Sequence, residues 1–136
     1  MSAHRFDLRV YYEDTDLAGI VYYANYLKFI ERGRSEYLRA LGVDQGALKA
    51  ETGIVFAVRR VEADYLIPAT YDDHLSVTTQ LAEVSGARIL LDQAVLRRTE
   101  TLFSASVTIV CLSETGRPAR VPAEVRAVFE TTAKTR

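Results

Sequence analysis

One short alternating run, one long amphipathic stretch and four further strand-like runs predict an α+β fold, with a single helix lying on one face of an antiparallel sheet. Three observations carry this. Phe6, Leu8, Val10 and Tyr12 alternate with Asp7, Arg9 and Tyr11, the period of a strand with one buried face. From Asn25 to Leu41 the period becomes that of a helix, because Tyr26, Leu27, Phe29, Ile30, Gly33, Tyr37, Leu38 and Leu41 share one side. That apolar arc covers about half the circumference, as expected of a helix cradled by a curved sheet.

The first strand ends at the acidic cluster Glu13, Asp14, Asp16. Gly33 sits inside the helix's apolar arc, where a missing side chain permits close approach of another backbone, and Gly42 supplies a stop. Asp44 to Thr52 reads as a connecting segment. Ile54 to Leu66 is the next strand, and its apolar parity slips at Arg59-Arg60, which predicts a bulge there. Pro68 closes that run. His74 to Val84 follows, with Leu75, Val77, Thr79 and Leu81 on one face, then a turn at Ser85-Gly86, a strand from Ala87 to Arg97, a turn at Arg98 to Thr101, and a strand from Leu102 to Leu112. The last three strands are close enough in sequence for a meander. A short helix is expected at Pro122 to Phe129. Five strands with one covered face leave exposed edges, for which pairing across a two-fold axis is the expected remedy.

At 136 residues the chain has the length of one domain, expected to span residues 1–136. Its 17 basic and 18 acidic residues give a net charge of −1, with no block of either sign to serve as a footprint for nucleic acid. The single cysteine, Cys111, cannot form an internal disulfide, which suits a reducing compartment. No window approaches the roughly 18 apolar residues of a membrane span. These features lead us to expect a soluble cytoplasmic protein, with peripheral association with a membrane or envelope left open.

The stretch EDTDLAGIVYYAN, Glu13 to Asn25, carries the chemistry. Read as a calcium loop from Asp14, it has carboxylates at positions one and three and glycine at six, but Ala18 at five and Asn25 at twelve remove the ligands that motif needs. His4, His74 and Cys111 lack zinc-ligand spacing, and no G-x-S-x-G or phosphate-binding glycine pattern occurs, so no metal or cofactor is expected. Cys111, inside an alternating strand, reads as a small buried hydrophobe. What remains is a carboxylate next to a helix N-terminus. Unpaired N–H groups there can stabilise a developing oxyanion, and the carboxylate can attack a carbonyl or activate water. A solvated acidic turn with Asp or Asn capping the helix explains the same residues equally well.

Tyr11 to Gly42, YYEDTDLAGIVYYANYLKFIERGRSEYLRALG, resembles the hotdog-fold acyl-CoA thioesterases, in the branch of 4-hydroxybenzoyl-CoA thioesterase and the Tol-Pal-associated acyl-CoA thioesterases. The resemblance extends through FAVRRVEADYLIPATYDDHL, Phe56 to Leu75, and GRPARVPAEVRAVF, Gly116 to Phe129. It implies a hotdog fold, a long central helix wrapped by a curved five-stranded antiparallel sheet. It also implies hydrolysis of an acyl-CoA to a free acid and coenzyme A without a cofactor, in a homodimer that pairs into a homotetramer.

By position, the resemblance makes Asp16 the catalytic carboxylate, nucleophile or general base, and Gly19 a loop residue that turns the chain toward the helix. It makes the Tyr23 N–H the oxyanion donor. Many Tol-Pal-associated members carry histidine where this chain has Tyr23, and the 4-hydroxybenzoyl branch carries tyrosine, which leaves the substrate branch open. Asp14 is expected to orient the loop or tune Asp16 through like-charge repulsion, or equally to serve as a cap or turn residue. Glu31 and Arg34 are expected to form a structural ion pair on the helix, with Glu36 solvated. Arg59, Arg60, Arg88, Arg117 and Arg120 are candidates for the phosphates of coenzyme A. Two alternatives accompany this expectation: a thioesterase acting on acyl-carrier-protein substrates, and a hotdog module that binds an acyl group or envelope partner without turnover.

Overall fold

The computed structural model of the chain describes residues 3–134. The strands are β1 (His4–Arg9), β2 (Val55–Tyr65), β3 (His74–Val84), β4 (Arg88–Arg97), β5 (Glu100–Leu112) and β6 (Pro118–Ala119). The helices are α1 (Asn25–Ala40), α2 (Gln45–Thr52) and α3 (Ala123–Lys134). The five long strands pair antiparallel in the order β1-β3-β4-β5-β2, and the two-residue β6 adds to β5 as a sixth. The α+β class holds, with one short strand more than expected.

Helix α1 lies on the face where Leu75, Val77, Leu91, Val95, Phe103 and Val107 are buried. It presents Tyr26, Phe29, Ile30, Gly33, Tyr37 and Leu38 to that face, and each fully buried Phe or Ile stabilises by about 1.5–3 kcal/mol relative to exposure. Leu27 stays outside this set. Gly33 is the point of closest approach: a Cβ there would lie 3.0 Å from Val77 Cβ and nearer still to its Cγ1. Beside it Gln93, 2% exposed, donates to the Ile30 carbonyl and to Thr79 Oγ1, both at 2.9 Å, which satisfies a polar group inside the core. Gly42, at φ +85°, ends α1 where expected.

The bulge falls where the parity slip predicts, with register lost between Val58 and Arg60. Four assignments differ. β1 stops at Arg9, because Tyr12 opens a single 3-10 turn and is 83% exposed rather than sharing the face of Val10. The Asp44 to Thr52 connection is the helix α2, capped by the Asp44 carboxylate accepting the Ala47 N–H at 3.0 Å and ended by Gly53 at φ +75°. The last helix runs on past Phe129 to Lys134. β5 begins at Glu100, so the preceding turn narrows to Arg98-Thr99.

Candidate functional site

The chain between β1 and α1 is shaped by its own acidic side chains. The Asp14 carboxylate accepts the Tyr11 N–H at 2.8 Å and closes the 3-10 turn, while the Asp14 carbonyl accepts the Tyr22 N–H at 2.9 Å and the Asn25 side-chain amide at 3.0 Å. Of the roles considered for Asp14, the turn is thus filled. Asp16 makes the next turn: its Oδ1 accepts the Ala18 N–H at 2.9 Å, and its carbonyl accepts the Gly19 N–H at 2.9 Å. Gly19 adopts φ +80°, a conformation that a side chain disfavours. The Asp16 N–H then donates to the Ile20 carbonyl at 3.0 Å, and Thr15 and Val21 form an antiparallel bridge. The loop is a tight hairpin that folds the exposed Asp16 back alongside residues 20–22, at the entrance to α1.

That entrance has no side-chain cap. Ala24 occupies the capping position with helical angles, φ −69° and ψ −21°, and Asn25 turns its amide to Asp14 instead of to the helix start. The capping explanation for the acidic residues is therefore not realised at α1. Among the described residues nothing accepts the Tyr23 N–H, and such a group offers a hydrogen bond to an incoming oxygen. The Tyr23 carbonyl is held by the Tyr65 hydroxyl at 3.1 Å. Tyr26 stacks on Phe103 with centroids 5.0 Å apart, and its hydroxyl accepts the Ala69 N–H at 3.1 Å. Burial pushes the phenols of Tyr26 and Tyr65 above the ordinary tyrosine value, so both stay protonated donors at neutral pH.

The Glu31–Arg34 ion pair is not formed. Arg34, half-buried, donates to Gln93 Oε1 at 3.2 Å, whereas Glu31 accepts from the Ser35 hydroxyl at 2.6 Å. Glu36, expected to be solvated, pairs with Arg39 at 2.6 Å. Arg34 reaches a cavity of about 220 Å³ between α1 and the sheet, walled by Leu38, Phe56, Val58, Leu91 and Phe129. Of the five candidate phosphate arginines, Arg59 is the bulged residue of β2 and Arg60 pairs with Glu62 at 3.3 Å. Arg88 faces Val110, and Arg117 and Arg120 flank β6 beside Leu112, all at the end of the sheet opposite Tyr65 and the α1 entrance. The chain does not gather the five around Asp16.

Cys111 is fully buried, and burial alone pushes its thiol to about 11, as befits a packed hydrophobe. No group of three or more His, Cys, Asp or Glu side chains among the described residues is arranged to hold a metal ion. Sequence reasoning missed the segment 66–73, whose Ala69 and Thr70 bond to the loop; the adjacent acidic pair Asp72-Asp73 behind Pro68 was the available signal.

Residues 10–129 match the family model described as Thioesterase-like superfamily. Acyl-CoA thioesterase YbgC of Haemophilus influenzae is 45% identical over 126 residues, 91% of this chain and 92% of that protein. The crystal structure of a probable thioesterase from Bartonella henselae shares 39% identity and a TM-score of 0.85 over 89% of this chain and all of that one. A 4-hydroxybenzoyl-CoA thioesterase solved with 4-hydroxybenzoyl-CoA superimposes at a TM-score of 0.88 over 95% of this chain and 99% of that one; at 24% identity that likeness concerns the fold.

Proposed function

Because the chain belongs to the thioesterase-like superfamily, we propose that it hydrolyses acyl-CoA thioesters to a free carboxylic acid and coenzyme A, using Asp16 and the N–H of Tyr23. The observation that carries the residue assignment is the pairing of an uncapped helix entrance with a carboxylate folded back beside it. The thioester oxygen accepts the Tyr23 N–H, and the aligned peptide dipoles of α1 favour the negative charge that develops there. The Asp16 carboxylate then attacks the carbonyl carbon, expelling the CoA thiolate and leaving an anhydride for water to cleave. Alternatively it takes a proton from water that attacks directly. Gly19 permits the turn that sets the distance between the two groups. Asp16 is exposed in the isolated chain, and an electrostatic centre of this kind gains strength when water is excluded.

A second copy supplies that exclusion in our reading. Among the described residues the outer edge of β2 has no partner strand, and it exposes Val58 at 47%, Val61 at 36% and Tyr65 at 48%, the kind of edge that folded proteins cover. Pairing there makes a dimer, and two dimers a tetramer. Arg88, Arg117 and Arg120, remote from Asp16 in their own chain, would meet coenzyme A across a subunit contact, whereas Arg59 and Arg60 lie on the shared edge. We place the reaction in the cytoplasm, where coenzyme A and reduced thiols coexist; no helix among the described residues is long and apolar enough to cross a membrane.

Replacing Asp16 by Asn leaves the loop's acceptor oxygen but removes the charge. Turnover, followed as CoA release over aromatic, short and long aliphatic acyl-CoAs, should fall by about 10³-fold or more with the fold intact, as loss of a triad carboxylate or an oxyanion donor does elsewhere. Hydrolysis within tenfold of wild type would sink the assignment. Running the same panel with carrier-protein thioesters separates the two carriers.

A further inference from the structure

Both ends of the Asp16 loop hang from one five-residue segment. The loop leaves β1 at Val10, whose N–H donates to the Asp73 carbonyl at 2.9 Å and whose carbonyl accepts the Asp72 N–H at 3.0 Å. It returns at Ile20 and Val21; Ile20 bridges Thr70, and the Val21 N–H donates to the Ala69 carbonyl at 2.9 Å. The Ala69 N–H in turn binds the Tyr26 hydroxyl in the first turn of α1. Segment 69–73 therefore touches the loop's entry, its exit and the helix start together.

One carboxylate shapes that segment. Asp73 Oδ2 accepts the Thr70 N–H at 2.8 Å and the Thr70 hydroxyl at 3.2 Å, and the Asp73 N–H donates to the Thr70 carbonyl at 3.2 Å, closing a turn. The same oxygen receives Arg97 Nη1 at 2.8 Å from the end of β4, and the second Arg97 nitrogen donates to Glu100 at 2.9 Å across the β4–β5 turn. The side chains of Asp73 and Arg97 are 20% and 30% exposed, so this pair is shielded from water more than the surface pairs Arg5–Asp7 and Arg9–Asp72. Its position at the rigid start of β3 makes it a fixed post.

We propose that Asp73, anchored by Arg97, is a positioning residue that sets the distance between the Asp16 carboxylate and the Tyr23 N–H. The inference rests on the assignment of those two groups under Proposed function. The relay is short: Arg97 to Asp73, Asp73 to Thr70, Thr70 and Ala69 to Ile20 and Val21, and from there the chain reaches Tyr23 within two residues. A misplacement of about 1 Å at a reacting pair can cost on the order of 100-fold in rate.

The test uses Asp73→Asn, with Arg97→Gln as a second variant and Arg39→Gln as a control that breaks the Arg39–Glu36 pair on the far part of α1. In Asp73→Asn we expect kcat to drop about 10- to 100-fold with KM within about twofold. Amide hydrogen exchange at Asp16, Gly19 and Tyr22 should accelerate at least tenfold, while β3 to β5 stay protected. Arg97→Gln should shift both readouts the same way and by less, and it carries the test if the first variant does not fold. The control should leave both unchanged. An unchanged kcat, or a lowered kcat with loop exchange as in wild type, overturns the proposal. If Asp16→Asn proves active, the catalytic assignment fails on its own, and the exchange data still report whether Asp73 holds the loop.

Discussion

At the scale of the residue, chemistry and packing separate cleanly. Asp16 and Cys111 are the two side chains with nucleophilic potential that sequence reasoning weighed, and burial divides them: one is exposed at a helix entrance, the other fully enclosed. Because burial raises the Cys111 pKa to about 11, its thiol stays neutral below that pH and reactive only as the thiolate appears above it. A thiol reagent at pH 8 should therefore label the native chain at least 100-fold more slowly than the urea-unfolded chain; comparable rates would contradict the packing. Asp16 was singled out by the resemblance, because three nearby carboxylates are indistinguishable by composition. The ion pair expected for Arg34 failed for a related reason: helical spacing shows which side chains can meet on one element, and cannot register Gln93 arriving from β4 to take the guanidinium instead.

At the scale of the element, legibility followed the length of the apolar pattern. Helix α1 and the strands β3 to β5 bury enough residues to impose a period, and the β2 bulge is visible because a slip in apolar alternation is itself a pattern. Helix α2 buries only Leu48 in eight residues and carries Gly46, so no stripe announces it. Its signals were at its ends, Asp44 as cap and Gly53 in the left-handed region. Losing that cap should matter: Asp44→Ala removes the acceptor of the Ala47 N–H and should lower stability by about 1 kcal/mol in urea unfolding, with Asp44→Gly costing only a few tenths. Equal loss in the two variants would point to a role other than capping. β6, two residues long, lies below any periodic signal.

For the whole molecule, the sheet order puts β1 and β2 on the outside, and only one of the two edges is apolar along its face. If β2 is where a second copy pairs, a charge there should separate the copies. Val58→Lys should shift sedimentation toward the monomer and reduce hydrolysis by more than tenfold, because water would then reach the Asp16 loop. A variant that stays assembled and active would move the interface elsewhere. No reading of the sequence could choose between the edges, since exposure of β2 depends on its being placed last beyond β5, a relation between Val55 and Leu112 that no local window contains.

That placement also bears on how the chain is made. β2 is synthesised directly after α2, yet among the described residues its only partner strand is β5, complete at Leu112. β3, β4 and β5 pair with near neighbours, so they can close as soon as they emerge. A nascent chain stopped before residue 100 thus carries a finished strand with no ladder to join, and its apolar residues stay open to other chains until the last long strand appears. On the proposed pairing, the edge that meets a second copy at the end of assembly is the same one left waiting at the ribosome, and truncations that remove β5 should aggregate through β2 while those that remove only α3 should not.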